Sequence, residues 1–302
     1  MLGLNRQFIL GKFTKAFLLR AGKNATPKDN LRILLESAFD KGLIDSVIGT
    51  TIKEKNGTSV TTPVFIKSKE ELKGNEQFFF VHGGQNSILK EITQKYSFEK
   101  VAVVGHSCVL DGINKMQYFG IGYNFTALKF ALKIGIFCIG AASMEGIKCL
   151  LKEKGDSSGR INEIFINRGK IYIKSSKLFA FSPEEYYFYV NEGCKVCMNV
   201  SSRGSDVTFV PCLDNDYSLC FVRSKRAEKL FEDVPFEVKE AGKEEISRVE
   251  NMAKEILKKN IETTLERAEL GIPSNKWDGN RYGRFSALWN NIYAEDIEEE
   301  VF

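Results

Sequence analysis

Between residues 86 and 153, helical periodicity and short β-branched apolar runs follow one another in turn. This alternation restricts the fold more than any other feature of the chain. Asn86 to Tyr96 reads as a helix, Val101 to Val104 as a strand stopping at Gly105, and Val109 to Tyr118 as the next helix. Phe125 to Ala131 reads as helical, Lys133 to Cys138 as a second strand, and Met144 to Glu153 as a further helix. Strands that alternate with helices bury their apolar faces against them, so the expected fold class is α/β, or mixed α+β.

The flanking segments extend this body. A strand is expected near Phe13 to Arg20. Thr26-Pro27 reads as an N-cap with proline at the first helical position, followed by Leu31, Leu34, Leu35 and Phe39 at helical spacing up to Gly42. Leu43 to Thr50 is a short buried strand, Asn56-Gly57 is a hairpin turn, and Val60 to Lys67 is the return strand. Ser68 to Leu72 opens another short helix. From Glu163 the period changes to two, with Ile164, Ile166, Ile171 and Ile173 placed around Asn167-Arg168-Gly169 as a hairpin. Asp206 to Val210 and Ser218 to Arg223 are further strands, and Lys225 to Glu232 is a helix. Lys243 to Leu270 is a long helix whose stripe is Ile246, Val249, Ala253, Ile256, Leu257, Ile261 and Leu265. It stops at Gly271-Ile272-Pro273.

The expected organisation is one main body with a small N-terminal lobe, residues 1–70, and a cysteine-bearing core, residues 71–242. Residues 243–302 add the long helix and a docking tail. That tail holds Trp277, Tyr282, Phe285, Trp289 and Tyr293, interleaved with Arg281 and Arg284, and the acidic run Glu295 to Glu300. Aromatic and arginine anchors of this kind are enriched at interfaces, although the tail folding back on its own core is an equal alternative.

Composition narrows the function classes. Across 302 residues, 43 Lys and Arg stand against 39 Asp and Glu, a net charge of +4. That excess is too small and scattered for nucleic-acid binding. The most apolar stretch, Phe125 to Met144, is interrupted by Lys129, Lys133, Gly135 and Gly140, so no integral membrane span is expected. Met1 to Arg20 alternates basic and apolar residues without a cleavable apolar run, so the expected location is cytoplasmic. No hydrolase elbow and no phosphate-binding glycine–lysine loop occurs.

Seven cysteines and only two histidines, His82 and His106, direct attention to sulfur. An odd number without a secretion signal argues against a disulfide framework and toward metal or redox use. Cys194-Lys195-Val196-Cys197 is a CxxC that suits zinc, a thiol pair or iron–sulfur ligation. Cys108 and Cys138 both stand at the carboxyl ends of apolar strands, where α/β proteins place their sites. Four thiolates at one edge would match a [4Fe–4S] cluster, whereas Cys108 and Cys138 as small buried core residues is the bland alternative. Cys149, on a helix face, Cys212, and Cys220, inside a strand, fit a packing role.

The blocks KVAVVGHSCVLDGINKMQ (100–117), KIGIFCIG (133–140), the hairpin after Glu163, GCKVC (193–197), Asp206-Val207 and RAELGIPS (267–274) occur in that order. Over residues 8 to 274 the chain resembles the coenzyme F420 hydrogenase/dehydrogenase β-subunit family. The resemblance implies an α/β electron-transfer module with FAD and a [4Fe–4S] cluster. Such a module exchanges a hydride with coenzyme F420 and single electrons with other redox subunits of a complex. It places the cluster ligands on Cys108, Cys138, Cys194 and Cys197.

The chain departs from the family on the flavin side. The family's Gln-Asp-Gly-Gly turn is replaced by Thr26-Pro27-Lys28-Asp29, and the glycine-rich loop after Asp206-Val207 by Phe209 to Tyr217. Its Gly-(Ser/Thr)-Lys-Tyr has no clear counterpart between Gly74 and Val81. Ser107 replaces a proline before the first cysteine, and Asn199 an aspartate after the CxxC. The expectation is an iron–sulfur electron-transfer subunit of a larger oxidoreductase with doubtful FAD. The alternative is a flavin-free relay, or a docking or scaffold subunit with a structural metal and no F420 activity of its own. His106 reads as a turn histidine facing solvent, or as a hydrogen-bond donor toward the cluster. Lys115, Lys195 and Arg203 are candidates to offset its negative charge, or are simply solvated.

Overall fold

The computed structural model describes residues 5–73, 83–89, 91–92, 98–119, 130–211 and 216–272. Its centre is a mixed sheet built from β1 (Lys15–Arg20), β2 (Ser46–Lys55), β3 (Thr58–Ile66), β4 (Val101–His106), β5 (Phe130–Ile136), β9 (Val207–Val210), β10 (Ser218–Val222) and β11 (Glu237–Glu240). The order across the sheet is β11-β1-β10-β9-β5-β4-β2-β3. The inner strands β2, β4, β5 and β9 run parallel, and the outer pairings are antiparallel. Strands covered on both faces need unbroken apolar runs. All six positions of β4 and all four of β9 are buried accordingly. A separate three-stranded antiparallel sheet contains β6 (Glu163–Asn167), β7 (Lys170–Lys174) and β8 (Leu178–Phe181).

The helices are α1 (Arg6–Leu10), α2 (Pro27–Asp40), α3 (Ser107–Phe119), α4 (Met144–Glu153), α5 (Pro183–Tyr187), α6 (Lys225–Glu228) and α7 (Lys243–Glu269). Buried residues of α2, α4 and the small sheet share one core with β4, β5 and β9. A second core joins α1 and α7 to β1 and β10, with Phe137, Met198 and Val200 among its members. A third joins α3 to β2 and β4. No described helix is long and apolar enough to cross a membrane.

Most expected elements stand within a few residues of their places. Phe130 and Ala131, expected to end a helix, instead open β5; the rest of that expected helix lies outside the described residues. The helix expected from Asn86 begins as a tight turn over Gln85–Ile88. The short edge strands β8 and β11 were not expected. β1, β2 and β3, all from residues 1–70, lie in the main sheet, so this stretch contributes directly to the body.

Candidate metal centre

Parallel pairing of β4 with β5 sets the site. Gly105 faces Gly135 and His106 faces Ile136 across the ladder, so both strands deliver the chain to the same sheet edge. Two residues beyond each strand stand Cys108, in the first turn of α3, and Cys138. The Cys138 amide donates to the Val200 carbonyl at 2.8 Å, which binds this strap to the segment following the CxxC. Cys194–Val196 forms one tight helical turn, closed by the Cys197 amide on the Cys194 carbonyl at 3.2 Å. Asn191 anchors the turn from below, its side chain donating to the Ala141 carbonyl at 2.7 Å.

Two close approaches need glycine. A Cβ on Gly135 would lie 2.2 Å from the Ser202 Cβ, so only a bare backbone lets Ser202 approach β5. Gly140, at φ +101°, lies against Val190 and directs its amide toward the Cys138 sulfur at 3.4 Å.

The thiols act on one another electrically. Burial pushes Cys108 up to about 12, with Cys197, Cys194 and Asp111 adding to the rise. Burial likewise drives Cys138 well up, with further pushes from Cys197, Cys194 and Cys108. Cys197 is raised by burial, and Cys194 and Asp111 add to it, while its Asn199 hydrogen bond and Arg203 pull the other way. Thiols that oppose each other's ionisation need positive charge before they become thiolates, and a bound metal centre supplies it. All four are free of disulfides, and Cys108 reaches solvent. Among the described residues, no three His, Cys, Asp or Glu side chains are gathered closely enough to hold one metal ion. A cubane cluster takes one thiolate at each of four irons, so its ligands stand further apart than those of a single tetrahedral zinc. Four cysteines are a donor set that a [4Fe–4S] cluster takes and that also suits zinc.

Around the thiols lies a polar frame. Ser107 Oγ and Ser202 Oγ are 2.9 Å apart, and Ser202 donates to the Ile136 carbonyl at 3.0 Å, so the serine that replaces the family's proline ties the Cys108 turn to β5. Asn199 Nδ2 lies 3.2 and 3.1 Å from the two Asp111 oxygens. An aspartate at 199 would face that carboxylate, a reason for asparagine here. Asn260 of α7 donates to the carbonyls of Cys194 and Cys197 at 3.3 and 2.7 Å.

Other expectations resolve differently. Cys149 is exposed, Cys220 is buried inside β10, and Cys212 lies outside the described residues. His106 is buried at the end of β4, which corrects the solvent-facing reading. Lys195 pairs with Glu192 at 2.7 Å and Lys115 is exposed. Sequence reasoning missed Asn260 and Asp111, because a single polar residue on a helix face gives no periodic signal.

The turn replacing the family's paired glycines is the N-terminus of α2. Thr26 Oγ1 accepts from the Asp29 amide, and Asp29 accepts from the Thr26 amide at 2.9 Å, a closed capping box. Burial opposes ionisation of Asp29, but the Thr26 hydroxyl and amide, with Arg32, outweigh it and hold the carboxyl below its usual range. One helix amide, that of Asp29, is thus engaged, and a carboxylate stands beside the others. The Asp29 carboxylate would repel a pyrophosphate brought to this turn. Of the other two departing stretches, residues 74–81 lie outside the described residues, as do residues 212–215 of Phe209 to Tyr217.

The family model describing the C terminus of the coenzyme F420 hydrogenase/dehydrogenase beta subunit matches residues 98–251. The chain belongs to this family. It is 26% identical over 252 residues to the coenzyme F420 hydrogenase subunit beta of Methanosarcina barkeri, covering 79% of this chain and 85% of that one. It is 24% identical over 261 residues to the subunit of the same name from Methanococcus voltae, covering 80% and 92%. A coenzyme F420-dependent sulfite reductase of Methanocaldococcus jannaschii is 29% identical over 227 residues, 67% of this chain but 36% of that one. The fold is shared with a chain of the xenon-derivatised F420-reducing [NiFe] hydrogenase complex of Methanosarcina barkeri. There the TM-score is 0.74 at 22% identity, over 88% of this chain and 96% of the other.

Proposed function

We propose that this family member is an iron–sulfur electron-transfer subunit of a larger oxidoreductase. Cys108, Cys138, Cys194 and Cys197 each hold one iron of a [4Fe–4S] cluster, which supplies one-electron chemistry when bound. The observation that supports this reading is the electrostatic coupling of free cysteines from three separate segments, Cys108, Cys138 and the Cys194–Cys197 turn, near the carboxyl ends of β4 and β5. Membership of the family supports redox subunits of a complex as partners, and coenzyme F420 as the hydride carrier of that complex. Cytoplasmic placement belongs to the same reading.

A second reading, a flavin-free relay, is favoured by the closed capping box at Thr26 and Asp29. Visible absorption of anaerobically purified protein separates the cases. Flavin bands mark a flavoenzyme, a broad shoulder near roughly 400 nm alone marks the relay, and a colourless zinc protein marks a scaffold. Within the cluster reading, Cys194→Ser abolishes bound iron and acid-labile sulfide, whereas Cys149→Ser leaves both. Unchanged iron in the first variant removes Cys194 from the ligand set.

A further inference from the structure

The three cysteine-bearing segments meet at Ser202. It lies in the loop that follows the CxxC, and its Oγ donates to the carbonyl of Ile136, two residues before Cys138, at 3.0 Å. The same Oγ lies 2.9 Å from the Oγ of Ser107, the residue before Cys108. A hydroxyl has one proton to donate. Because the Ser202 proton is directed at Ile136, Ser107 is the donor to Ser202. The relay thus runs from the Cys108 turn through Ser202 to β5, and both serines are buried, Ser107 at 2% and Ser202 at 1% exposure. Hydrogen bonds in series polarise one another in such an interior.

Two local irregularities serve this contact. Ser202 stands at φ +48°, in the left-handed region that a β-carbon makes unfavourable. Gly135 interrupts β5 with a position that packs no side chain, and a Cβ there would lie 2.7 Å from Ser202 Oγ. A glycine at 202 would adopt the same backbone without strain, so what serine adds is its hydroxyl. The loop is fixed from the β9 side as well. The Ser202 carbonyl accepts from the Ser205 amide at 3.0 Å, Ser205 Oγ at 2.7 Å and Thr208 Oγ1 at 3.4 Å. The other thiols have anchors of their own, the Val200 carbonyl for the Cys138 amide and Asn260 for the CxxC turn. Cys108 is exposed at the start of α3. Asp111 meets Asn199 further along that helix, but the residue joined directly to Cys108 is held by Ser202.

We infer that Ser202 is a positioning residue that keeps Cys108 in the ligand set, acting through Ser107. This rests on the cluster reading above and adds the corner at which the ligand set opens. Without the relay, the start of α3 is free to turn the Cys108 sulfur toward solvent, while Cys138, Cys194 and Cys197 keep their own ties.

The test is iodoacetamide alkylation of the anaerobically purified full chain, mapped by peptide mass spectrometry, with iron and sulfide measured on each sample. A thiolate bound to metal is withheld from the reagent. In iron-loaded wild type, the exposed Cys149 is alkylated and the four ligands are protected. Ser107→Ala removes the link to Ser202 and leaves the bond from Ser202 to Ile136. It raises Cys108 alkylation about tenfold, the factor for about one lost hydrogen bond, while Cys138, Cys194 and Cys197 stay protected. Ser202→Ala does so more strongly, and Ser107→Thr, which keeps a hydroxyl, stays close to wild type. An iron-loaded Ser107→Ala protein with Cys108 as protected as in wild type overturns the inference. Equal exposure of all four thiols overturns it too, because that is general loosening. Where Ser202→Ala does not fold, the two Ser107 variants decide, and equal Cys108 reactivity in both overturns the role of the hydroxyl. Wild-type protein that binds no iron and sulfide overturns the cluster reading itself, whereas iron-loaded wild type with unmoved variants overturns only the role of Ser202.

Discussion

Asn260 shows how much a single polar residue does at this site. It sits 2% exposed in the apolar stripe of α7, where Val249, Ala253, Leu257 and Ile261 are its buried companions. An amide in that position is costly to bury unless its donors are used, and its Nδ2 is directed at both CxxC carbonyls. Asn260→Ala leaves those carbonyls unserved and lowers stability by about 1–3 kcal/mol. It also loosens the Cys194–Cys197 turn. Chemical denaturation checks the first effect, and the rate of iron loss to a chelator, faster than in wild type, checks the second. Thr264, four residues on, donates to the Asn260 carbonyl at 2.7 Å and completes a local polar step in the helix.

Among the elements, α2 is the one that the flavin-free proposal rests on. Its capping box contributes about 0.5–2 kcal/mol to the helix, and it does so by using one amide at the helix start and setting a carboxylate beside the rest. Acid extraction of the native protein followed by chromatography is therefore expected to release no stoichiometric FAD; one FAD per chain overturns this. The elements legible in the sequence are those with a strong internal signal. β4 is six residues without a polar interruption save its terminal histidine. The hairpin β6–β7 turns on Arg168 and Gly169, both at positive φ. Met144–Glu153 matches its expected bounds because Ser143 caps it and its apolar stripe is regular. β8 and β11 escaped notice because four half-exposed residues at a sheet edge show hardly one period of alternation. At the site, the cysteines were visible as residues at strand ends. Arg203 bonding to the Phe8 carbonyl and Asn260 reaching back to Cys194 join positions far apart in the chain, and no local pattern announces them.

For the whole molecule, the open question is what meets it beyond α7. The last turns of that helix leave Leu265, Leu270 and Ile272 substantially exposed, and the aromatic segment that follows lies outside the described residues. Each large apolar side chain buried there would contribute about 1.5–3 kcal/mol. Deleting residues 275–302 is expected to preserve iron and sulfide while abolishing co-purification with the partner redox subunit. Full recovery of that partner makes the tail a self-packing extension, and aggregation with loss of iron makes it part of the core.

The sheet order also governs how the protein is made. β1 lies between β10 and β11, and its register runs from Lys15 opposite Val222 to Arg20 opposite Glu237. During synthesis β2, β3, β4 and β5 can join as they emerge, but β1 has no neighbour until the chain has grown past residue 218. At ribosomal speed that wait lasts on the order of 10–40 s. For that interval an apolar strand and the arginine-clamped segment before it remain without their native cover. The nascent chain is thus most exposed to aggregation and proteolysis around β1, and a chaperone that shields this strand and the segment before it would act where assembly is slowest.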